Sequence, residues 1–77
     1  MTKKTLSTFL PGTTGLIVGF CPMINKTYRK RLLAMGITRG IEFEIIRYAP
    51  MGDPIEIKIR GYTISLRKDD AALILAI

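Results

Sequence analysis

Two stretches of strict alternation between apolar and charged residues restrict the fold of this chain more than any other feature. Ile41, Phe43 and Ile45 alternate with Glu42 and Glu44, and Ile55, Ile57 and Ile59 alternate with Glu56, Lys58 and Arg60. A spacing of two gathers one set of side chains on one face of a β-strand, whereas a helix of 3.6 residues per turn would scatter them. Half-buried strands are expected in both places, the first running to about Tyr48. Between them, Ala49-Pro-Met-Gly-Asp-Pro54 is too rich in proline and glycine to continue a strand, so the chain must turn there. Gly61-Tyr62, with glycine first, has the chemistry of a type II′ hairpin. Thr63-Ile64-Ser65-Leu66-Arg67 then returns as a strand whose Ile64 and Leu66 share the core face.

Upstream, Leu10-Pro-Gly-Thr-Thr14 signals a turn, and Leu16-Ile17-Val18-Gly19-Phe20 is a β-branched and aromatic run of strand length. Asn25 is placed to cap a helix whose Tyr28, Leu32 and Met35 fall at i, i+4 and i+7, with Gly36 just past its end. Lys68-Asp-Asp-Ala-Ala72 fits one short helical turn, and Leu73-Ile-Leu-Ala-Ile77 reads as a last strand, buried on both faces or closing a barrel. A chain of 77 residues has room for one hydrophobic core, so residues 1–77 are expected to form one domain. Five short strands with one apolar face each cannot remain an open sheet in so small a chain, because an open sheet leaves a wet apolar face and sticky edges. The expected fold is mainly β: a small five-stranded SH3-like barrel, with one α-helix inserted between strands 1 and 2 and a short helical turn before the last strand. Its core should draw on Leu16, Val18, Leu32, Phe43, Ile45, Ile57, Ile59, Ile64, Leu66 and Ile74.

The chain contains no histidine and one cysteine, Cys21. The common zinc sites and catalytic triads cannot be built from that inventory. Cys21, Asp53, Met23 and Met51 make a poor set for ferrous iron, which prefers imidazole and carboxylate, so no intrinsic metal site and no cofactor are expected. Asp69 and Asp70 are neighbours that point apart in any regular backbone, so they do not form an acid/base pair. The lysines near the start precede no apolar run, and one thiol cannot make an internal disulfide; both point to an intracellular chain.

A net charge of +6 makes nucleic-acid binding the main rival to a protein-binding role, since small basic β-barrels often bind RNA or DNA. Aromatic content weighs against it: three tyrosines and three phenylalanines are present, and none interleaves with basic residues along a strand as base-stacking platforms do. On the helix, Lys26, Arg29 and Lys30 lie opposite the face of Tyr28, Leu32 and Met35. Solvated charge is the plain reading of that face; Leu33, an apolar residue beside the three cations, favours a docking face for an acidic partner or anionic lipid. Turn chemistry explains most of the loop at residues 49–54, with Met51 free to act as an adaptable apolar contact and Asp53 beside it.

Pro11-Gly12 before the first strand, Arg31-Leu32-Leu33-Ala34-Met35-Gly36-Ile37-Thr38-Arg39-Gly40, Ala49-Pro-Met-Gly-Asp-Pro54, Ile64-Ser65-Leu66-Arg67 and Ala71 together resemble the FeoA family. Each piece alone is common; their order and spacing, from about Leu6 to Ile77, are specific. The resemblance implies a bacterial cytoplasmic SH3-like protein, without enzyme activity, that supports FeoB, the membrane permease for ferrous iron with its own G-protein domain. It names FeoB as the partner and no nucleic acid. The partner-binding residues expected on the present reading are Lys26, Arg29, Lys30, Leu33, Met51 and Asp53. A related barrel closes the iron- and manganese-dependent repressors, so a stand-alone module of that kind is the other alternative, although no helix-turn-helix is present to read DNA.

Overall fold

The computed structural model describes residues 3–77. Among them are β1 (Lys4–Thr5), β2 (Thr14–Phe20), β3 (Glu42–Tyr48), β4 (Ile55–Ile59), β5 (Tyr62–Leu66) and β6 (Ile74–Ala76). Helix α1 (Lys26–Ala34) lies between β2 and β3, and the short α2 (Lys68–Ala71) lies between β5 and β6. The strands form one antiparallel sheet in the order β1-β6-β2-β3-β4-β5. Helix α2 packs against the 3-10 turn Leu6–Thr8 that follows β1, so helical turns meet between the two outer strands of the curled sheet. The described strands number six where five were expected. The extra one, β1, is only two residues long and pairs Lys4 with Ala76 and Thr5 with Leu75, too short to leave a periodic signal.

Alternation in β3 and β4 becomes packing directly. Phe43, Ile45, Ile55, Ile57 and Ile59 are buried, with Phe43 opposite Ile59 and Ile45 opposite Ile57. A register shift between Ile45 and Arg47 bends β3, and beyond it Arg47 faces Glu56. There the Arg47 guanidinium donates to Glu56 Oε1 at 2.9 Å, and this hydrogen bond holds the carboxyl below its ordinary range. Strand β6 lies between β1 and β2, with Ile74 and Ala76 buried and Leu75 half-buried.

Two expectations require correction. Leu16 and Val18 are only half-buried, and Ile17 between them is fully buried; the all-apolar run carried no phase, and pairing decided it. The hairpin turn is Arg60–Gly61, with Ile59 opposite Tyr62, and both turn residues have positive φ (48° and 83°), the signature of a type I′ turn. Tyr62 therefore opens β5. Leu66 is buried and Ile64 half-buried against the core, so they do share a face. The remaining expected core positions, Leu32, Phe43, Ile45, Ile57, Ile59, Leu66 and Ile74, are buried, joined by Leu6, Phe9 and Ile37. Phe9 meets Phe43 edge to face, with ring centroids 5.2 Å apart.

Strand β2 reaches its neighbours because Gly15 has no side chain. A Cβ there would stand 2.6 Å from Phe43 Cζ and 2.8 Å from the Ile77 carbonyl oxygen. Gly15→Ala is expected to destabilise the protein by about 1–3 kcal/mol through overpacking, read as a lower urea midpoint at unchanged slope. An unchanged midpoint would show that β2 has room to move.

The Tyr48 hydroxyl lies 2.6 Å from the Phe9 carbonyl and 3.1 Å from that of Ser7, donating its proton between them and tying the N-terminal segment to β3. Burial pushes the Tyr48 pKa up from its ordinary value. A raised folded-state pKa means that the stabilisation is complete below about pH 10, the unfolded value, and is lost as pH rises through the folded one. Tyr48→Phe should cost about 1 kcal/mol at neutral pH and lack this alkaline loss. Urea titrations of both proteins from about pH 8 to 12 check it; parallel curves would refute the assignment.

Candidate functional site

Helix α1 is held in a defined orientation by its ends. Asn25 Oδ1 accepts the Tyr28 N–H at 2.7 Å, satisfying one of the free donors at the N-terminus. At the other end Ile37 N–H donates to Leu32 O and Gly36 N–H to Leu33 O, the paired bonds of a Schellman motif, with Leu32 and Ile37 both buried beneath it. Gly36 has φ +95°, and a Cβ there would collide with the Tyr62 hydroxyl, which itself donates to Met35 O at 3.1 Å.

With the helix so placed, its cations divide. Arg31 turns towards α2, where its guanidinium lies 3.7 Å from Asp70 Oδ1 and 4.7 Å from the Tyr28 ring centroid. Asp70 is buried, with Oδ2 accepting the Arg67 N–H at 3.2 Å, and Oδ1 has no hydrogen bond. Lys26, Arg29 and Leu33 turn the other way and line a groove of about 440 Å³ together with Phe20, Ile24 and Arg39. Leu33 is 38 % exposed. The Arg29 guanidinium stands 5.8 Å from the Phe20 ring centroid, over the aromatic face. Phe20 and Ile24 pack against the core from above, so the groove's apolar floor is anchored.

The structure thus brings together three of the expected contact residues and separates the others. Lys30 is exposed outside the groove lining. Met51 and Asp53 sit on the loop between β3 and β4: Met51 is 93 % exposed, while Asp53 Oδ1 accepts the Lys68 N–H at 3.0 Å and so helps hold the first turn of α2. Sequence reasoning missed Phe20, Ile24 and Arg39. Phe20 and Ile24 read as strand and loop residues, and Arg39 enters only because the Schellman turn carries the chain back beside β2; nothing in local spacing signals that return.

Among the described residues, no three His, Cys, Asp or Glu side chains gather as a metal cluster. The Cys21 thiol lies 3.5 Å from the Ala72 carbonyl oxygen and donates to it. No described helix is long and apolar enough to cross a membrane.

Leu33 and Asp53 should respond differently to substitution. Leu33→Asp is expected to change stability by no more than about 0.5 kcal/mol, as for an exposed site. Asp53→Ala should cost about 0.5–1.5 kcal/mol and speed amide exchange at Lys68. Denaturant titration with exchange measured by NMR separates the cases; global unfolding of the Leu33 variant would place that side chain in the core instead.

The sequence profile of the FeoA domain matches residues 4–76. A protein of Porphyromonas gingivalis (strain ATCC BAA-308 / W83), described as an Fe(2+) transport protein A/Fe(2+) transporter FeoB fusion protein, is 43 % identical over 47 residues. That match covers 61 % of this chain and 6 % of the fusion protein's length. The NMR structure of a FeoA-like protein from Clostridium acetobutylicum superposes with a TM-score of 0.89 at 38 % identity, covering 100 % of this chain and 88 % of that one. The crystal structure of Stenotrophomonas maltophilia FeoA complexed with zinc, described as an SH3 domain protein, superposes with a TM-score of 0.78 at 21 % identity over 95 % of this chain and 88 % of that one, a likeness of fold alone. With the profile spanning nearly its whole length, this SH3-like chain belongs to the FeoA domain family.

Proposed function

We propose that the chain is a non-enzymatic accessory of ferrous iron uptake that acts in the cytoplasm by docking on a FeoB-type permease. The observation that carries this reading is the relative in which the two activities are described within one fusion protein, so that a segment similar to this chain is covalently joined to a transporter. Where they are separate chains, an interface has to replace that bond. The geometry suits a binding module: the buried apolar side chains form one cluster, the grooves are shallow surface features, and no three His, Cys, Asp or Glu side chains gather as a metal cluster among the described residues. No nucleic-acid role is part of this reading, since the one aromatic face in the basic groove, that of Phe20, is occupied by Arg29.

Of the surfaces available, the α1 groove is the docking face, with Leu33 as its apolar contact and Lys26 and Arg29 beside it. Met51 would then lie outside the interface, and Asp53 serves the fold. Leu33→Glu should weaken association with the full-length permease by roughly 1–3 kcal/mol, about 5- to 150-fold, without unfolding the chain. Affinity measured with the permease in nanodiscs, together with iron uptake in cells lacking the native protein, tests this. A parent protein that neither binds the permease nor restores uptake would end the proposal.

A further inference from the structure

Building on the permease reading, we infer that the groove between α1 and the end of β2 receives a short acidic segment of that partner, with one apolar side chain seated on Leu33 and Ile24. Its carboxylates meet Lys26, Arg29 and Arg39.

The argument begins with charge that the fold leaves unbalanced. Lys26, Arg29 and Arg39 come from two separate stretches of chain, yet they border one groove with no acidic residue in its lining. Among the described residues the ion pairs are Arg31–Asp70 and Arg47–Glu56, both elsewhere. Lys26 and Arg29 stand within the first four residues of α1, whose first turn has no acidic side chain. The positive end of a helix favours anions, so cations there add to an unfavourable field that no acidic residue of the groove lining or of the first turn offsets. A ligand bearing several carboxylates supplies what is missing.

Shape narrows the class of ligand. Leu33 and Ile24 form an apolar strip inside a concavity of about 440 Å³, room for a few side chains. A flat lipid surface would meet the rim cations but leave this strip wet. A base would have to displace Arg29 from the Phe20 ring to stack there. Acidic residues flanking an apolar one satisfy the cations and the strip together, in the usual arrangement of an apolar centre and a charged rim.

The test uses short overlapping peptides covering the cytoplasmic segments of the permease, each titrated by fluorescence anisotropy against the full-length chain. Bound peptides should combine acidic residues with a neighbouring apolar one. Their affinity should fall about tenfold or more with Leu33→Asp and with the triple reversal Lys26→Glu, Arg29→Glu and Arg39→Glu. The triple variant should in turn bind the same peptides once their acidic residues are changed to lysine. If that variant does not fold, Arg39→Glu alone carries the test, since Arg39 is exposed. Full-length permease that binds the parent and the groove variants equally, with no acidic peptide bound, would overturn this inference while leaving the permease reading intact. Loss of binding to phosphatidylglycerol vesicles with peptide affinity unchanged would overturn it in favour of lipid. A parent that fails to bind the permease at all would remove both.

Discussion

The architecture depends on β2 pairing along both of its edges at once. Its first residues, Thr14 to Leu16, face β3, and its later ones, Ile17 to Phe20, face β6, with a register irregularity between Ile17 and Gly19. Ile17 sits where pairing changes over: its N–H donates to Ile41 O, and its C=O accepts from Gly40 N–H. A strand shared in this way joins the β3–β4–β5 meander to the strands at the two ends of the chain. Two physical conditions allow it. Gly15 leaves space for the Phe43 ring and the C-terminal carbonyl, and Ile17 fills the interior that the bend creates. Because Phe20 ends this strand and lines the groove, the geometry of the groove is inherited from this pairing.

Helix α1 is fixed to that frame by interactions of different strength and character. Its caps and the buried Leu32 define where it lies, while the Tyr62 hydroxyl couples its C-terminus to β5. The contact with Asp70 is of another kind. A buried carboxylate oxygen without a hydrogen bond is costly, and the nearby Arg31 guanidinium offsets part of that cost although its own side chain is largely exposed. Arg31 is therefore spent on holding helix to helix. Lys26 and Arg29, on the other side, are bound to nothing acidic, which separates a structural face of α1 from a face available to others.

The strands were legible wherever apolar and charged residues alternate. In β4 the pattern Ile55, Ile57, Ile59 admits only one buried face, and the structure has that face. In β2 the same rule is silent, because Leu16, Ile17 and Val18 are all apolar and long-range pairing alone selects Ile17. The β4–β5 turn was misplaced by one residue for a related reason: glycine marks a position of positive φ, but Arg60 also adopts one, and only the register of Ile59 opposite Tyr62 shows that the pair is Arg60–Gly61. Helix limits were clear because Asn25 and Gly36 act locally. Of the candidate site, the contribution of α1 could be read from a helical wheel. Phe20, Ile24 and Arg39 could not, since their meeting is a consequence of tertiary folding, and the role of Asp53 likewise rests on a backbone donor fifteen residues away.

This difference between local and long-range information bears on where function resides in so small a fold. The buried apolar side chains form one cluster, and the α1 groove lies outside it, on the surface. On a surface, a lone leucine or a lone lysine is ordinary. What distinguishes the α1 groove is the convergence of a solvent-exposed leucine, an anchored aromatic floor and cations from separated stretches of the chain, without an acidic residue among them. Keeping like charges close costs stability that a chain of this size has little of to spare. Exchanging Arg39 for a neutral residue would relieve that cost without disturbing the core, because its side chain is exposed. The arrangement is therefore not required by folding, and a partner whose charge completes it gives it a physical reason.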